Sequence, residues 1–494
     1  MKREQYVRCG LRTLAILAVL TLTAILLCAC GGGNTPAATE TVDSETTTDA
    51  ADPTQDATEP EREPEEATVT DTETEEPAEV PTETESETVT EAVTELQLWA
   101  PDTGVFNEGK VNYEPVYDQD GTVLSVSATP VGDNTLGLDI TDKTDLISIC
   151  YSVWFDAILG TGTDPVETWY NVTEVEQGLQ DWGPVYAFHY WAKPAQGYYR
   201  SSDKTAIRNN MTMLYEAGVD FIILDLTNAG DGYLGGNRSA WMSYIQIPVD
   251  AMCETILEMR AEGKGTPYMV FWVGSSDGPL YQELYDRYLC HEDWKDCFVY
   301  WEGKPFLLTT HTYPEDFPLP ELYTVRRMWG LQRDTSVNGW NYLNVYNYGL
   351  VTPDAEGKPE QVSVATASQE TQMSNTGNAH PRNNGIFWYC QWTWAFEVHP
   401  KVVTLCWWNE WVAQRYPDGN GGYVFYDEYN QNYSRDIEPM EGGHGDAYYQ
   451  WLKQYVAYYK SGLPCPVLVK EGYESRVDRY YRMYMDAATS KLGG

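Results

Sequence analysis

The sequence predicts an α/β protein whose folded part is a (β/α)8 TIM barrel with a small N-terminal β appendage, preceded by a disordered linker. Three observations lead there. Short apolar runs rich in β-branched and aromatic residues recur between residues 146 and 408, separated by helical or irregular stretches, the alternation that builds a mainly parallel sheet. Many of these runs end in polar or aromatic residues, as strands do when their C-terminal tips form a site. The roughly 400 residues from position 96 onward contain no second low-complexity break, so one large domain can hold them. An open flavodoxin-like sheet is the alternative reading of the same pattern.

Residues 1–30 are a targeting segment. Lys2, Arg3, Arg8 and Arg12 form a basic start, and Leu14 to Leu27 is mostly apolar. The core then meets Leu27-Cys28-Ala29-Cys30-Gly31, which resembles the processing site of a bacterial lipoprotein, with Cys30 as the lipidated residue. A plain transmembrane anchor is the competing reading, although the run is shorter than the roughly 20 residues a span needs. The expected location is the extracellular face of the cell membrane, held by a lipid anchor.

Residues 31–95 form an acidic linker rich in Thr, Glu and Pro. From Asn34 to Glu95 there are 21 acidic residues against the single Arg62, and no aromatic residue. Such a chain cannot bury enough apolar surface to offset its entropy, and its charges repel, so it reads as an extended spacer. The net charge of the whole is −42; the linker holds −20 and the leader +3, which leaves −25 for residue 96 onward. That balance argues against nucleic acid and anionic lipid as partners, and against uronate-rich or sulfated glycans unless a local basic groove exists. It favours a neutral ligand.

Ten cysteines occur; Cys9 and Cys28 leave with the leader and Cys30 takes lipid. The remaining seven have no metal-ligand spacing, and most read as small buried hydrophobes, with Cys290 and Cys297 the one plausible pair. Six histidines without a paired spacing make a zinc site unexpected. Asp427, Asn430, Asn432 and Asp436 are spaced loosely like a calcium loop but lack its Gly and terminal Glu, so they read as loop polarity. No cofactor and no metal are expected. The aromatic load, 18 Trp and 37 Tyr against 11 Phe, favours rings with a polar handle, which suit half-wet clefts.

Residues 96–144 read as the β appendage, turning at Asp118-Gln119-Asp120-Gly121. Residues 145–494 are the barrel. Its expected strands are Leu146–Phe155, Val185–Trp191, Phe221–Thr227, Tyr268–Gly274, Pro305–His311, Tyr323–Trp329, Gln361–Ala367 and Val402–Trp408. Two intervening helices are clear. One runs from Asp203 to Ala217 and stops at Gly218; the other runs from Pro248 to Glu262 and stops at Gly263. Asp220, at the base of the third strand, reads as structural.

The strand tips carry the chemistry. The last strand ends in Trp408-Asn409-Glu410-Trp411, and the third in Leu224-Asp225-Leu226-Thr227-Asn228. The first leads to Trp154 and Asp156, the second to His189-Tyr190-Trp191, the fourth to Trp272, the fifth to His311 and the seventh to Glu370. Carboxylates, amides and indoles gathered at one end of a barrel can cleave a glycosidic bond, bind hydroxyls and stack on sugar rings.

Three blocks resemble bacterial glycoside hydrolase 71/99-like barrel proteins. They are Val185–Trp191, the stretch from Pro194 to Ser201, and Ala217–Asn228, with Asn409-Glu410-Trp411 similar to an Asn-Glu-Trp signature and Tyr429–Met440 similar to the segment that comes after it. The resemblance covers most of residues 145–460. It implies a (β/α)8 fold, action on polysaccharides and no obligatory metal, without assigning the catalytic carboxylates.

Those are read from the residues themselves. Hydrolysis needs two carboxyl groups, and the expected pair is Glu410 and Asp225. Glu410, between Trp408 and Trp411, is expected in an apolar setting that suits the acid; Asp225, near Thr227 and Asn228, is expected to stay ionised. Glu370 is the main substitute and Asp277 a weaker one. His189, Tyr190, Trp191, Asn228, Trp272, Trp408, Asn409, Trp411 and Glu370 are the expected substrate-binding residues, with Trp154 a further stacking candidate. The expected protein is a monomeric, lipid-anchored glycoside hydrolase acting on a polysaccharide or glycan. A non-catalytic carbohydrate-binding lipoprotein and a wall-anchored adhesin are the alternatives.

Overall fold

The computed structural model describes residues 137–156, 170–228, 241–274, 278–310, 319–330, 336–343, 351–369, 380–426 and 430–482. The expected leader with Cys30, the linker, and the appendage up to residue 136 with its Asp118–Gly121 turn lie outside the described residues, as do Asp277, His311, Glu370 and Asp427.

In chain order the strands are β1 (Leu138–Asp139), β2 (Leu146–Ser152), β3 (Tyr170–Asn171), β4 (Phe188–Tyr190), β5 (Phe221–Leu226), β6 (Tyr268–Val273), β7 (Val299–Trp301) and β8 (Lys304–Thr309). They continue with β9 (Thr324–Met328), β10 (Gly339–Trp340), β11 (Thr352–Pro353), β12 (Pro359–Ala365), β13 (Val402–Cys406), β14 (Val412–Pro417) and β15 (Tyr423–Phe425). The long helices among the described residues are α1 (Lys204–Glu216), α2 (Ile247–Ala261), α3 (Ile386–Val398) and α4 (Ala447–Lys460). None of the described helices is long and apolar enough to cross a membrane.

The class is mixed α/β around a large sheet. Its strands run parallel in the order β10-β9-β8-β6-β5-β2-β13-β12, with β1, β7 and β11 added at the margins. The period-2 alternation of each strand sorts its side chains onto two faces. Leu146, Cys150, Phe221, Ile223, Val270, Trp272, Leu308 and Cys406 gather in one cluster. Ile147, Ile149, Ile222, Leu224, Phe271, Leu307, Val403 and Leu405 face the other way, against the helices.

Backbone pairing does not close these eight strands into a ring among the described residues. Between β10 and β12 side chains make the contact: Gln361 Oε1 accepts from Asn341 N at 3.2 Å, and Gln361 Nε2 donates to Asn341 O at 2.7 Å. Glu360 accepts from Trp340 Nε1 at 2.6 Å and takes Arg326 at 2.7 and 2.8 Å.

One expected strand is placed differently. The run 185–191 supplies β4, which joins a separate four-stranded sheet in the order β15-β14-β4-β3, and β2 pairs directly with β5. The exposed Val185 and Tyr186 explain why this run does not sit in the buried parallel sheet. The eighth parallel strand is β10, beside β9 at the end of the order, a two-residue strand too short to stand out by periodicity.

The helices follow their local signals. Asp203 caps α1, accepting from Thr205 N at 2.8 Å, and Gly218 ends the turn at φ +75°. Pro248 sits in the first turn of α2, and Gly263 follows its end at φ +79°. Asp220 is structural as expected: it accepts from Ile147 N at 2.7 Å and pairs with Lys460 of α4 at 2.8 Å, tying β2, β5 and α4 together.

Candidate active site

The apolar run of β13 buries itself completely and delivers Trp407 to Trp411 at the C-terminal end of the sheet. A strap, residues 434–438, holds these five residues in place. Trp407 N donates to Arg435 O at 3.0 Å, Ile437 N to Trp407 O at 3.1 Å and Glu438 N to Trp408 O at 2.9 Å. Side chains of the strap complete the grip. Asp436 accepts from the Glu410 amide and from Trp191 Nε1. Glu438 accepts from Trp411 Nε1, Tyr199 Oη and Gln196 Nε2. Arg435 Nη2 donates to Glu410 Oε2 at 2.7 Å, and both side chains are almost wholly buried. The Cys406–Trp407 peptide is cis.

This tip opens into a cleft of about 500 Å³. Asp225 of β5 and Glu410 both line it, with Trp154, Trp272, Trp407 and Tyr342. The small sheet adds Phe188 from β4 and Val412, Ala413, Gln414 and Tyr416 from β14, so the run expected as a barrel strand instead forms part of the wall. Asp225 Oδ1 accepts from Thr227 N at 2.9 Å, and its carbonyl takes Trp154 Nε1 at 3.0 Å. Trp272 Nε1 donates to Met328 O at 3.2 Å, which fixes that ring 5.1 Å from Tyr342 and 5.9 Å from Trp407. Thr227 also presses on Gly274: a Cβ there would lie 2.4 Å from Thr227 O, so the close approach requires glycine.

The two carboxylates share one electrostatic neighbourhood. Burial first, then the charges of Asp225 and Glu410, push the Cys150 thiol well above its usual range, with Arg435 opposing. Asp225 lies on β5 and Glu410 follows the end of β13, and these two strands flank β2 on either side, with their backbones roughly 10 Å apart.

The expected apolar setting of Glu410 includes a buried charge. Its indole neighbours point elsewhere, and the guanidinium of Arg435 donates to its carboxylate, which favours the ionised form over the neutral acid. A strongly raised carboxyl does exist nearby, at Glu438, pushed up to about 7 by burial against the opposing hydrogen bonds of Trp411, Gln196 and Tyr199.

Of the expected binding residues, Asn228 and Trp272 line the cleft, and so does the stacking candidate Trp154. The other described ones are not among the residues that line it. Asn409 Oδ1 accepts from Ser152 N at 2.8 Å and its amide donates to Ser152 O and Tyr199 Oη, locking the tip of β13 to β2. Trp408 turns outward onto Tyr449. Trp411 stacks on Trp191 at 4.5 Å behind the cleft. Tyr190 packs between Phe155 and Tyr198.

His189 is a buried core histidine. Its nitrogens face Ala187 O at 3.0 Å and Trp182 O at 2.8 Å. Burial pushes its pKa down, against the pull of those carbonyls. Glu370 lies outside the described residues. The cleft rings not assigned from the sequence are Phe188, Tyr244, Trp329, Tyr342, Trp407, Tyr416 and Tyr426. Trp407 stood next to the last residue of the expected strand Val402–Trp408, and Trp329 ended another expected strand, so position at a tip was the available signal. Among the described residues no group of three or more His, Cys, Asp or Glu is arranged to hold a metal ion.

No family model and no curated protein matches the chain. Its structure is similar to that of a GH99 endo-alpha-mannosidase from Bacteroides thetaiotaomicron, with 13% identity, 64% of this chain and 98% of that chain covered, and a TM-score of 0.41. It is also similar to a glycoside hydrolase-like protein, with 15% identity over 66% of this chain and 99% of that one, at a TM-score of 0.36.

Proposed function

We propose that this chain is a glycoside hydrolase acting on a neutral polysaccharide or glycan. One observation carries the reading: Asp225 and Glu410, from strands on either side of β2, line a single cleft walled by indole and phenol rings. Aromatic walls stack on sugar faces, and two carboxyl groups across a cleft supply the proton donor and the base or nucleophile of glycoside cleavage. Glu410, kept ionised by Arg435, takes the base or nucleophile role. Asp225 protonates the departing oxygen. This reverses the roles expected from the sequence, because the charge beside Glu410 comes from the strap, which the motif alone does not reveal.

A second reading has its own observation. A buried Arg–Glu pair is also what a purely structural ion pair looks like, and a chain that binds glycan without cutting it would keep the rings and the pair alike. Incubation with α- and β-linked polysaccharides separates the two. The hydrolase releases soluble sugars; binding without release identifies a glycan receptor and overturns the hydrolase.

We also propose, from the sequence, that Cys30 carries a lipid anchor and that residues 31–95 space the domain from the membrane on the extracellular face, the protein acting as a monomer with no nucleic-acid partner. Metabolic labelling with a fatty acid, lost on Cys30→Ser, is the test.

A further inference from the structure

The small sheet carries a row of phenol rings from the cleft out to the surface. Gln414 and Tyr416 alternate along β14 onto the side that lines the cleft, and Tyr426 follows β15 beside them. Tyr426 N donates to Gln414 O at 3.0 Å, and its ring meets that of Tyr416 at 4.6 Å and 87°. The ring of Tyr186 also meets Tyr416, at 5.0 Å and 75°. Tyr186 is 55% exposed and is not among the residues that line the cleft, so the row starts in the cleft and ends in solvent.

The row is fixed by its polar groups. Gln414 Oε1 accepts from Tyr416 Oη at 2.8 Å, and Gln414 Nε2 donates to Tyr186 O at 2.9 Å, so one amide ties two ring-bearing residues together. Tyr186 N donates to Arg415 O at 2.9 Å. Tyr186 also has φ +70°, a left-handed conformation that glycine or asparagine adopts at lower cost than a bulky residue. An exposed ring held at a backbone cost points to a use for the ring itself.

We propose that Tyr186, Tyr416 and Tyr426 form a stacking platform that continues the cleft and holds a neutral polysaccharide chain beyond the sugars beside Asp225 and Glu410, an inference that rests on the glycan-binding reading above. Tyr416 lies about 13 Å along β14 from Val412, so a ligand that spans from the carboxylates to Tyr186 is a chain and not a single sugar. Tyr186, Gln414, Tyr416 and Tyr426 are uncharged within a strongly acidic domain, which suits a neutral chain. Phenols present an apolar face with a polar tip, the surface that a half-wet sugar chain fits.

The test is affinity electrophoresis of the whole protein in native gels containing soluble starch, dextran, α-mannan or β-glucomannan. Calorimetry follows with oligosaccharides of increasing length from a polymer that retards it. Tyr186→Gly removes the ring and suits the φ, so the melting temperature should hold or rise. Tyr186→Asn is a second ringless variant at home in that conformation, and Tyr186→Phe keeps the ring. Tyr423→Ala is the control: Tyr423 is 52% exposed but sits over the Arg415 guanidinium at 4.2 Å, on the opposite face of the same sheet.

Affinity of the native protein should climb with oligosaccharide length. Tyr186→Gly and Tyr186→Asn should bind the shortest oligosaccharide as the native protein does, lose the climb, and bind the polymer roughly three- to tenfold more weakly. Tyr186→Phe and Tyr423→Ala should behave as native. Four results overturn the inference and leave the hydrolase reading intact: hydrolysis of a polymer that does not retard the protein, native affinity that does not grow with length, polymer binding unchanged in the ringless variants or reduced as much in Tyr423→Ala, and a loss already present with the shortest oligosaccharide. No retardation by any polymer, together with no release of sugar, overturns both.

Discussion

Arg435 Nη2 lies 2.7 Å from Glu410 Oε2, with the two side chains 1% and 3% exposed. A carboxylate in the cleft is therefore tied to a residue 25 positions later in the strap, and the same strap binds the Glu410 amide through Asp436. The position and the charge of Glu410 are set by the same short segment. Desolvating the pair is costly, and removing one member leaves the other charged and buried, so the pair is more sensitive to truncation than its net stabilisation suggests.

Arg435→Met should therefore lower stability by about 3–5 kcal/mol. It should also make Glu410 easier to protonate, moving the acidic limb of the kcat/KM profile to higher pH. Arg435→Lys keeps the charge but not the planar fork, and should recover part of both losses. Urea melts and a pH–rate profile check this; an acidic limb that does not move contradicts the role given to the pair.

Glu438 gives a separate pH dependence. Its carboxyl is pushed up from 4.5 to about 7 by burial, so between these values the folded protein holds a proton that the unfolded chain has released. Stability from this group is fully present below pH 4.5 and declines as pH rises to about 7, by about 3 kcal/mol in all. Thermal melts of Glu438→Gln against the native protein should show that decline reduced in the variant. A parallel pH dependence in the two would contradict the assignment.

His189 should behave as scaffold. His189→Leu removes the imidazole N–H that one of Ala187 O and Trp182 O accepts, at about 1–3 kcal/mol for a buried group left unsatisfied. The folded fraction should retain native kcat, measured after active-protein concentration is normalised. A large fall in kcat at unchanged stability would place His189 in the chemistry.

Gly274→Ala probes the join between β6 and the turn after Asp225. The added Cβ would meet Thr227 O at 2.4 Å, and Thr227 N is what holds Asp225 Oδ1. The variant should lose stability and also turnover, because the displaced turn moves a carboxylate; turnover preserved with lowered stability would show that the turn yields elsewhere.

Much of the parallel sheet was legible because its strands are buried on both faces and read as continuous apolar runs, Phe221–Leu226 and Val402–Cys406 above all. The pair Asp225 and Glu410 was legible for a related reason: each closes such a run. Position alone could not tell which polar groups at a tip face the cleft and which face its supports. Asn409 and Trp411 differ from Glu410 by a single step along the chain, yet one locks onto Ser152 and the other onto Trp191 and Glu438.

The strap was the main gap. Asp436 reads as loop polarity, Arg435 and Glu438 stand in the segment Tyr429–Met440 without a role, and only the fold brings them under β13. The helices α3 and α4 were also missed. Trp388 and Trp392 of α3 and Tyr455 of α4 lie within apolar-aromatic stretches where buried helix and buried strand look alike.

The most direct measurement is turnover of a cleaved polysaccharide by the native protein, Asp225→Asn and Glu410→Gln, with melting temperature and affinity recorded for each. In Glu410→Gln the side-chain amide oxygen can still accept from Arg435, but the buried guanidinium loses its counter-charge, so the melting temperature falls and turnover is compared at equal folded concentration. The account predicts that each variant loses kcat by about 10²–10⁴-fold while binding the substrate as the native protein does. Native turnover in either variant would show that its residue is not one of the two working carboxyl groups, and would contradict the account at its centre.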